Sequence, residues 1–248
     1  MPSEANSGRI SVRENGACGA VFVYARSMKT LLCALLIVAA PGLRAACNDA
    51  AAPKVDWSGC SKERLILKDK DLQEAKFVRA MLVGMNFASA KLTRASFASA
   101  EINHASFRDA QLDGANFEKS VAVRSNFSGA RFDGANLEKA EMHRSLLTRA
   151  SLKGVNLSKG DFGRSVFEGA DLTGATLRLS NISRARFAGA TMSGTDLTSA
   201  FMYTTRFEGT DLSTVKGLTQ GQIDVACGDA KTKLPAGLKR PASWPCAE

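Results

Sequence analysis

The sequence predicts a four-sided β-solenoid that is closed by a short cap at each end. Three observations support this fold class: a large apolar residue recurs every five residues, outward polar positions recur every twenty, and the regular stretch is flanked by cysteine-containing segments that lack the pattern. A strand has a period of two and a helix a period near 3.6, so neither element explains a period of five. The chain must therefore coil on a longer period.

The N-terminal segment is typical of an export signal. Met28 and Lys29 precede an apolar run at 31–40, and the segment PGLRAAC follows. Ten apolar residues are too few to span a bilayer, but they suit the core of a secretory signal. We therefore predict a signal peptide at 28–45 and a periplasmic or secreted mature chain that begins at Ala46.

Two features refine this interpretation of the N-terminus. Arg44 stands three residues before Cys47, where a lipoprotein signal needs an aliphatic residue, so a lipid anchor is not expected. Residues 1–27 fit no part of a signal, and the sequence leaves open whether they are an upstream extension. Removal of 1–45 leaves 28 Lys and Arg against 22 Asp and Glu, which lowers the net charge from +9 to +6.

The large apolar residues define the repeat unit. From Leu67 to Leu212, a step of five residues meets thirty positions, and all except Ala122 are Leu, Ile, Met or Phe. The residue two positions earlier is nearly always small, as at Ala95 and Ala115. Two of every five side chains therefore point inward, and three point outward. A pattern of this length indicates a solenoid in which each turn buries its inward residues against the next.

A second, longer period gives the number of sides. The segment GANFEK at 114–119 returns as GANLEK at 134–139, and glycines recur at the same spacing from Gly114 to Gly194. Twenty residues contain four units, so one turn of the solenoid, which we name a coil, has four sides. The thirty units at 65–214 form about seven and a half coils. At ~4.8 Å per coil, the rod is roughly 36 Å long.

The units resemble those of the pentapeptide-repeat family, in which a small residue is followed by Asp or Asn, by Leu or Phe, and by two variable residues. The segments ANF at 115–117, ANL at 135–137 and ADL at 170–172 match closely. The resemblance covers 65–214 and implies a right-handed quadrilateral β-helix. Many units depart at the second position, for example at Lys91 and Arg131, which weakens the local hydrogen bonding of the turns.

The flanking segments are predicted to cap the rod, because a solenoid end exposes core and unpaired backbone. We assign 46–64 to the N-terminal cap and 215–248 to the C-terminal cap. The segments VDWSGC at 55–60 and GLTQGQIDVACGDAKTKLPAGL at 217–238 resemble the ends of secreted bacterial members of the family with no assigned activity. Thr219–Cys227 is predicted to form a short helix, since Thr219 and Gln222 have the spacing of a capping box. Leu218 and Ile223 would then cover the last coil.

The mature chain keeps four cysteines, and an even number after a signal suggests disulfides in an oxidising compartment. Cys47 and Cys60 precede the rod, whereas Cys227 and Cys246 follow it. A disulfide requires Cα atoms within about 7 Å. A bridge between the two ends would draw a flank along the rod and uncover its cap. We therefore predict the pairs Cys47–Cys60 and Cys227–Cys246.

Stacking in twenties sorts the outward residues into columns, and two neighbouring columns are basic. They contain Lys119, Lys139 and Lys159, and Arg124, Arg144, Arg164 and Arg184. Arginines on successive coils would lie ~4.8 Å apart, and both columns would share one side of the rod. Two interpretations stay open: a stripe that binds an anionic polymer or protein, or a solvated face whose charges pair with Glu101, Glu141 and Asp161.

The sequence contains no pattern typical of an enzyme. It has no nucleophile elbow, no H-E-x-x-H segment and no phosphate-binding loop. His104 and His143 are the only histidines, and they would lie ~10 Å apart, nearly two coils, which is too far for one zinc ion. A regular rod also offers no deep pocket. We therefore predict no catalytic residue, no metal ligand and no cofactor.

The function predicted from these features is that of an exported, non-enzymatic structural or interaction module. Its partner is an unknown protein or anionic polymer, and nucleic acid is not expected. The alternative that the family resemblance allows is a DNA mimic that protects a topoisomerase. Such a mimic should be acidic and cytoplasmic, whereas this chain carries a net charge of +9 and is predicted to be exported.

Overall fold

The computed structural model describes residues 47–246. The predicted signal peptide at 28–45, its cleavage before Ala46 and the segment 1–27 lie outside the described residues. Within 47–246 the chain forms a stack of coils, followed by one short helix, α1 (Gln220–Asp224). No helix in this range is long and apolar enough to cross a membrane.

The backbone pairing of the stack has a register of twenty residues, as the sequence predicts. Each unit contributes one residue to isolated parallel bridges, which together form a ladder between the coils. Between residues 47 and 246, no strand is longer than one residue. Asn116, for example, pairs with Ser96 on one side and Asn136 on the other. Because four units separate paired residues, each coil has four sides and the fold is a quadrilateral β-helix. Pairing begins at Asp56, ahead of the stretch 65–214 from which the coils were counted.

Asn or Asp at the second position of a unit holds the turn through a local hydrogen bond. In the unit 115–119, the Asn116 side chain accepts a hydrogen bond from the backbone amide of Glu118 at 2.9 Å. The same bond forms at Asn126, Asn136, Asn156, Asp161, Asn181 and Asp196, among others. Units with Lys91 or Arg131 at this position lack the acceptor and yet remain in the ladder. Pairing between coils therefore maintains the fold where the local bond is missing.

Stacked phenylalanine rings fill the interior. Phe87, Phe107 and Phe127 stack face to face, with ring centroids 4.8 and 4.9 Å apart. Above the interruption by Leu147, the column resumes, and the rings of Phe187 and its neighbours lie 4.7 and 5.3 Å apart. All of these side chains are fully buried. The column that the sequence predicts to be inward is therefore part of the core.

Trp57 closes the N-terminal end of the core. Its side chain is 2% exposed and meets the ring of Phe77 edge-on, with centroids 5.8 Å apart. The ammonium group of Lys62 lies 4.2 Å from the centre of the indole ring. Cys47 and Cys60 form a disulfide with a Cα–Cα distance of 5.6 Å. This bridge ties the first described residue to the coil that begins the ladder.

Helix α1 and the chain after it close the C-terminal end. Thr219 and Gln222 form the predicted capping box, and the side chain of Ile223 is fully buried. The helix ends at Asp224, earlier than the predicted Cys227. The reason is that Cys227 pairs with Arg206 in the ladder, which requires extended backbone.

A second disulfide and a buried tryptophan hold the last segment in place. Cys227 and Cys246 are joined with a Cα–Cα distance of 5.6 Å. The indole N–H of Trp244 donates a hydrogen bond to the carbonyl of Ala226 at 2.7 Å. Both disulfides are the pairs predicted from the order of the cysteines along the chain, and each one stays at its own end of the rod.

Candidate functional site

The predicted basic residues lie along the two edges of one side of the rod, which we name the basic face. Lys119, Lys139 and Lys159 occupy one corner, the Lys edge. Arg124, Arg144, Arg164 and Arg184 occupy the next corner, the Arg edge. All seven are exposed. The amides of Arg144 and Arg164 donate to carbonyls of the following coil at 2.9 Å, so neighbouring arginines stand one coil, ~4.8 Å, apart.

The guanidinium groups of the Arg edge have no carboxylate partner among residues 47–246. Several other arginines of the rod differ, although not all of them: Arg131 pairs with Asp113 at 2.8 Å, and Arg178 pairs with Asp196 at 3.2 Å. Like charges on adjacent coils repel each other, and a nearby carboxylate would relieve that repulsion. The Arg edge therefore keeps four unneutralised charges in a row, which favours binding of an anion.

The Lys edge is partly neutralised by glutamates on the adjacent face. The ammonium of Lys119 lies 3.0 Å from Glu118, and Glu138 lies 3.6 Å from Lys139 and 3.5 Å from Lys159. The hydrogen bond from Lys119 holds the pKa of Glu118 below its ordinary value. The two edges are therefore chemically different, although the sequence predicts them as one stripe.

The carboxylates predicted to pair with the arginines lie between the two edges and do not reach them. Asp161 instead accepts hydrogen bonds from the amide of Gly163 at 2.9 Å and from the side chain of Asn181 at 3.0 Å. Its second oxygen lies 3.8 Å from Nδ1 of His143. Glu141 is exposed and has no side-chain partner among the described residues. The floor of the basic face is therefore polar and partly acidic.

A shallow, open groove of about 590 Å³ runs beside the Arg edge. Arg144, Arg164 and Arg184 form one wall, and His143 and Asp161 contribute to the floor. Further lining comes from Gly163, Asn181, Ser183 and Tyr203. These four residues are not among the site residues predicted from the sequence. They are found by applying the same twenty-residue spacing to the positions on either side of each inward residue.

A buried ladder of serines supports the Arg edge from inside. Ser125, Ser145 and Ser165 directly follow three of the arginines and are at most 1% exposed. The amide of Ser125 donates to the hydroxyl of Ser145, and the amide of Ser145 donates to the hydroxyl of Ser165. Each of these hydroxyls donates in turn to a carbonyl of the preceding coil at 2.7 or 2.8 Å. The backbone behind the arginines is therefore held in one register.

The arginines of the Arg edge occupy corners whose backbone conformation favours glycine. Corner residues take the left-handed conformation, with φ of 64° at Gly114 and 60° at Arg144. This conformation costs a non-glycine residue about 1–2 kcal/mol. One corner column is glycine throughout 114–194, whereas the Arg edge contains no glycine from His104 to Thr204. The arginines therefore occupy backbone positions that do not favour them.

The described residues contain no cluster arranged to hold a metal ion. Among residues 47–246, no group of three or more His, Cys, Asp or Glu side chains has a suitable arrangement. His104 is exposed on the same corner as the Arg edge, and His143 lies on the floor of the groove.

Comparison with known families gives one match. Pentapeptide repeats, in eight copies, match residues 71–109, 110–149, 145–184 and 177–213, which together make up more than half of the 248 residues. No curated protein with significant similarity to the sequence was found.

Solved structures of several pentapeptide repeat proteins are similar to the chain. HetL, involved in heterocyst differentiation regulation in the cyanobacterium Nostoc sp. strain PCC 7120, is 21% identical, with 74% of this chain and 86% of HetL covered and a TM-score of 0.47. QnrB1, a plasmid-mediated fluoroquinolone resistance protein, is 19% identical, with coverages of 75% and 92% and a TM-score of 0.41. A protein of the Arabidopsis thaliana thylakoid lumen is 27% identical, with coverages of 38% and 63% and a TM-score of 0.30. These likenesses are too distant to assign a role.

Proposed function

Because the chain belongs to the pentapeptide repeat family, we propose that it is a rigid, non-enzymatic interaction module that binds an anionic partner through its basic face. In this proposal the coil is right-handed, as the family resemblance implies. The observation that carries the proposal is the row of four exposed arginines without a carboxylate partner, placed one per coil from Arg124 to Arg184.

The rigidity of the support strengthens the proposal. Each arginine is fixed in register by backbone hydrogen bonds to the next coil, and the serine ladder fixes the chain immediately behind three of them. Because this backbone is already fixed, only the arginine side chains lose conformational entropy when a linear anion binds. The basic face is therefore suited to binding rather than to catalysis, which usually requires an enclosed pocket.

The charge distribution does not favour the alternative of a DNA mimic. A mimic presents acidic groups in place of phosphates. Here the most regular charged columns are basic, and the formal net charge is +9. The proposed function is therefore not that of a DNA mimic.

We also propose that the protein acts outside the cytoplasm. The two disulfides support this location, since such bonds persist mainly in oxidising compartments. The test is fractionation followed by N-terminal sequencing of the natural protein. We expect the mature chain to begin at Ala46 in an extracytoplasmic fraction. A cytoplasmic protein that keeps the segment 28–45 would contradict the prediction.

The decisive experiment removes the Arg edge. Arg124, Arg144, Arg164 and Arg184 are changed together to Ser, and salt-dependent retention on a negatively charged matrix is measured. We expect the variant to lose retention at physiological salt and to keep its thermal midpoint, because exposed corner side chains contribute little to stability.

A matched control separates the site from net charge. Four arginines that pair with carboxylates on other parts of the rod are changed to Ser instead: Arg94, Arg131, Arg178 and Arg186. The change in net charge is the same as in the Arg-edge variant. Equal loss of retention in both variants would show that net charge alone explains the binding, and the proposal would then be wrong.

A further inference from the structure

We propose that the ligand of the basic face is an acidic polysaccharide, a polymer that carries both anionic groups and hydroxyl groups. This inference rests on the proposed function and specifies the chemical class of its partner. It is carried by three features of the basic face: carboxylates that lie between the basic edges, a groove that opens at Gly163, and two exposed aromatic rings at the end of the Arg edge.

The acidic floor excludes a ligand that is only an anion. Glu141 is exposed, has no side-chain partner among residues 47–246, and stands between Lys139 and Arg144 along the chain. Asp161 takes the equivalent position on the next coil. These carboxylates repel a uniformly anionic chain, but they accept hydrogen bonds strongly from hydroxyl groups. A ligand that satisfies both the arginines and the carboxylates must therefore carry anions and hydroxyl donors together.

Gly163 gives the groove its depth. The equivalent positions on neighbouring coils carry side chains, at Val123, His143, Ser183 and Tyr203. A Cβ atom placed at Gly163 would lie 3.2 Å from Oδ1 of Asp161 and 3.3 Å from Nδ2 of Asn181. The glycine therefore leaves these polar groups accessible beside the Arg edge. The backbone here does not require glycine, since Gly163 is not in the left-handed conformation.

Two aromatic side chains extend the groove at its C-terminal end. Phe201 is 65% exposed and Tyr203 is 58% exposed. They flank the buried Met202 and so project from the same face, one coil beyond Asn181. Exposed aromatic faces are the usual platforms for the apolar C–H faces of pyranose rings. The polar groove and this aromatic end together provide both kinds of contact that a sugar chain makes.

The spacing of charges also suits a sugar polymer. The arginines recur every coil, ~4.8 Å, which is close to the length of one pyranose ring along a 1,4-linked chain. A uronic acid polymer carries one carboxylate on each ring. Single-stranded nucleic acids instead need aromatic platforms for successive bases, and the basic face exposes no Phe, Tyr or Trp side chain from Val121 to Ser183, where the one phenylalanine on this side, Phe162, is buried. The observations therefore favour a polysaccharide over a nucleic acid.

The test compares two polyanions on the purified mature chain. Polygalacturonate carries carboxylates and hydroxyls, whereas polyglutamate carries carboxylates without hydroxyls. At equal salt and equal charge concentration, we expect polygalacturonate to bind at least about fivefold more tightly, as one or two extra hydrogen bonds provide. Tighter binding of polyglutamate, or of single-stranded DNA, would show that the ligand is not a polysaccharide, and it would leave the proposed function standing. Binding to none of the three would overturn both.

Substitution of Glu141 should change the affinities for the two polyanions in opposite directions. Glu141→Val is compatible with the fold, because Val121 precedes it in the same column. We expect polygalacturonate to bind about fivefold more weakly, since an acceptor is lost, and polyglutamate to bind more tightly, since repulsion is lost. Glu168→Val is the matched control: it removes the same charge on another face of the rod, where Thr148 stands twenty residues earlier, and it should leave the preference unchanged. Tighter binding of both probes by Glu141→Val would contradict the proposal.

A second variant tests the groove itself. Gly163→Val fills the space beside the Arg edge and places a β-branched residue where Val123 occurs two coils earlier. We expect at least a fivefold loss of polygalacturonate binding, with little effect on polyglutamate. Ala98→Val makes a similar enlargement at the equivalent unit position on another face and should change neither. Undiminished polygalacturonate binding by a folded Gly163→Val variant would overturn the groove as the site.

Discussion

The two edges of the basic face have the same sign of charge and different surroundings. On the Lys edge, Glu118 and Glu138 lie within 4 Å of the ammonium groups. On the Arg edge, no carboxylate of the described residues comes within that distance, and Asp161, on the floor between the edges, accepts hydrogen bonds from Gly163 and Asn181 instead. The difference teaches that a basic column becomes a candidate site only when its neighbours leave the charges without partners.

The comparison depends on the inward and outward assignment of residues, and the largest predicted effect tests that assignment. Phe127→Asp places a charge inside the stacked phenylalanine column, where Phe127 is fully buried. We expect a loss of at least about 4 kcal/mol of unfolding free energy, which lowers the thermal midpoint by roughly 10 °C or more. Ser128→Asp, one residue later and outward, should change stability by about 0.5 kcal/mol or less. Equal thermal midpoints for the two variants would show that the assignment of residues to inward and outward columns is wrong.

The second prediction contrasts the edges directly. Lys119, Lys139 and Lys159 are changed together to Ser, and binding of polygalacturonate is compared with that of the Arg-edge variant. We expect the Lys-edge variant to bind only about two- to threefold more weakly than the natural chain, because its charges are already shared with glutamates and exposed ion pairs are worth about 0–1 kcal/mol. A loss as large as that of the Arg-edge variant would show that the two edges act as one stripe.

Much of the fold was predictable because each position of the repeat has its own chemical requirement. The inward residues, the twenty-residue register and the capping box at Thr219 are all visible in the sequence, and the structure contains each of them. The length of α1 was not predictable, because the pairing of Cys227 with Arg206 is a long-range contact that ends the helix. Local sequence favours a longer helix, and the ladder overrides it.

The candidate site was predictable only in part. The spacing of twenty residues predicts that the seven basic residues share one side of the rod, and in the structure all seven are exposed. Side-chain pairing was not predictable, because a carboxylate on the floor can turn either toward an arginine or toward a backbone amide. Asp161 accepts a hydrogen bond from the backbone amide of Gly163, as most Asn and Asp residues at this unit position accept one from the amide two residues later. The sequence predicts the columns, whereas the contacts between columns require coordinates.

The smallest predicted effect comes from freeing the Lys edge of its partner. Glu138 lies 3.6 Å from Lys139 and 3.5 Å from Lys159, so Glu138→Gln removes one charge that both lysines share. We expect polygalacturonate to bind about twofold more tightly, as loss of an exposed ion pair of about 0.5 kcal/mol allows. The gain should disappear at high salt, where exposed charges are screened.

The matched control for Glu138→Gln is Glu168→Gln, which makes the same change in net charge at a glutamate that pairs with Arg186, away from the basic face. Because Glu168 contacts neither edge, its substitution should leave binding unchanged at every salt concentration. Equal gains in both variants would mean that the ligand responds to net charge and not to the lysines. The difference between the two edges would then have no functional meaning. A gain confined to Glu138→Gln would instead show that glutamate pairing is what keeps the Lys edge weaker than the Arg edge.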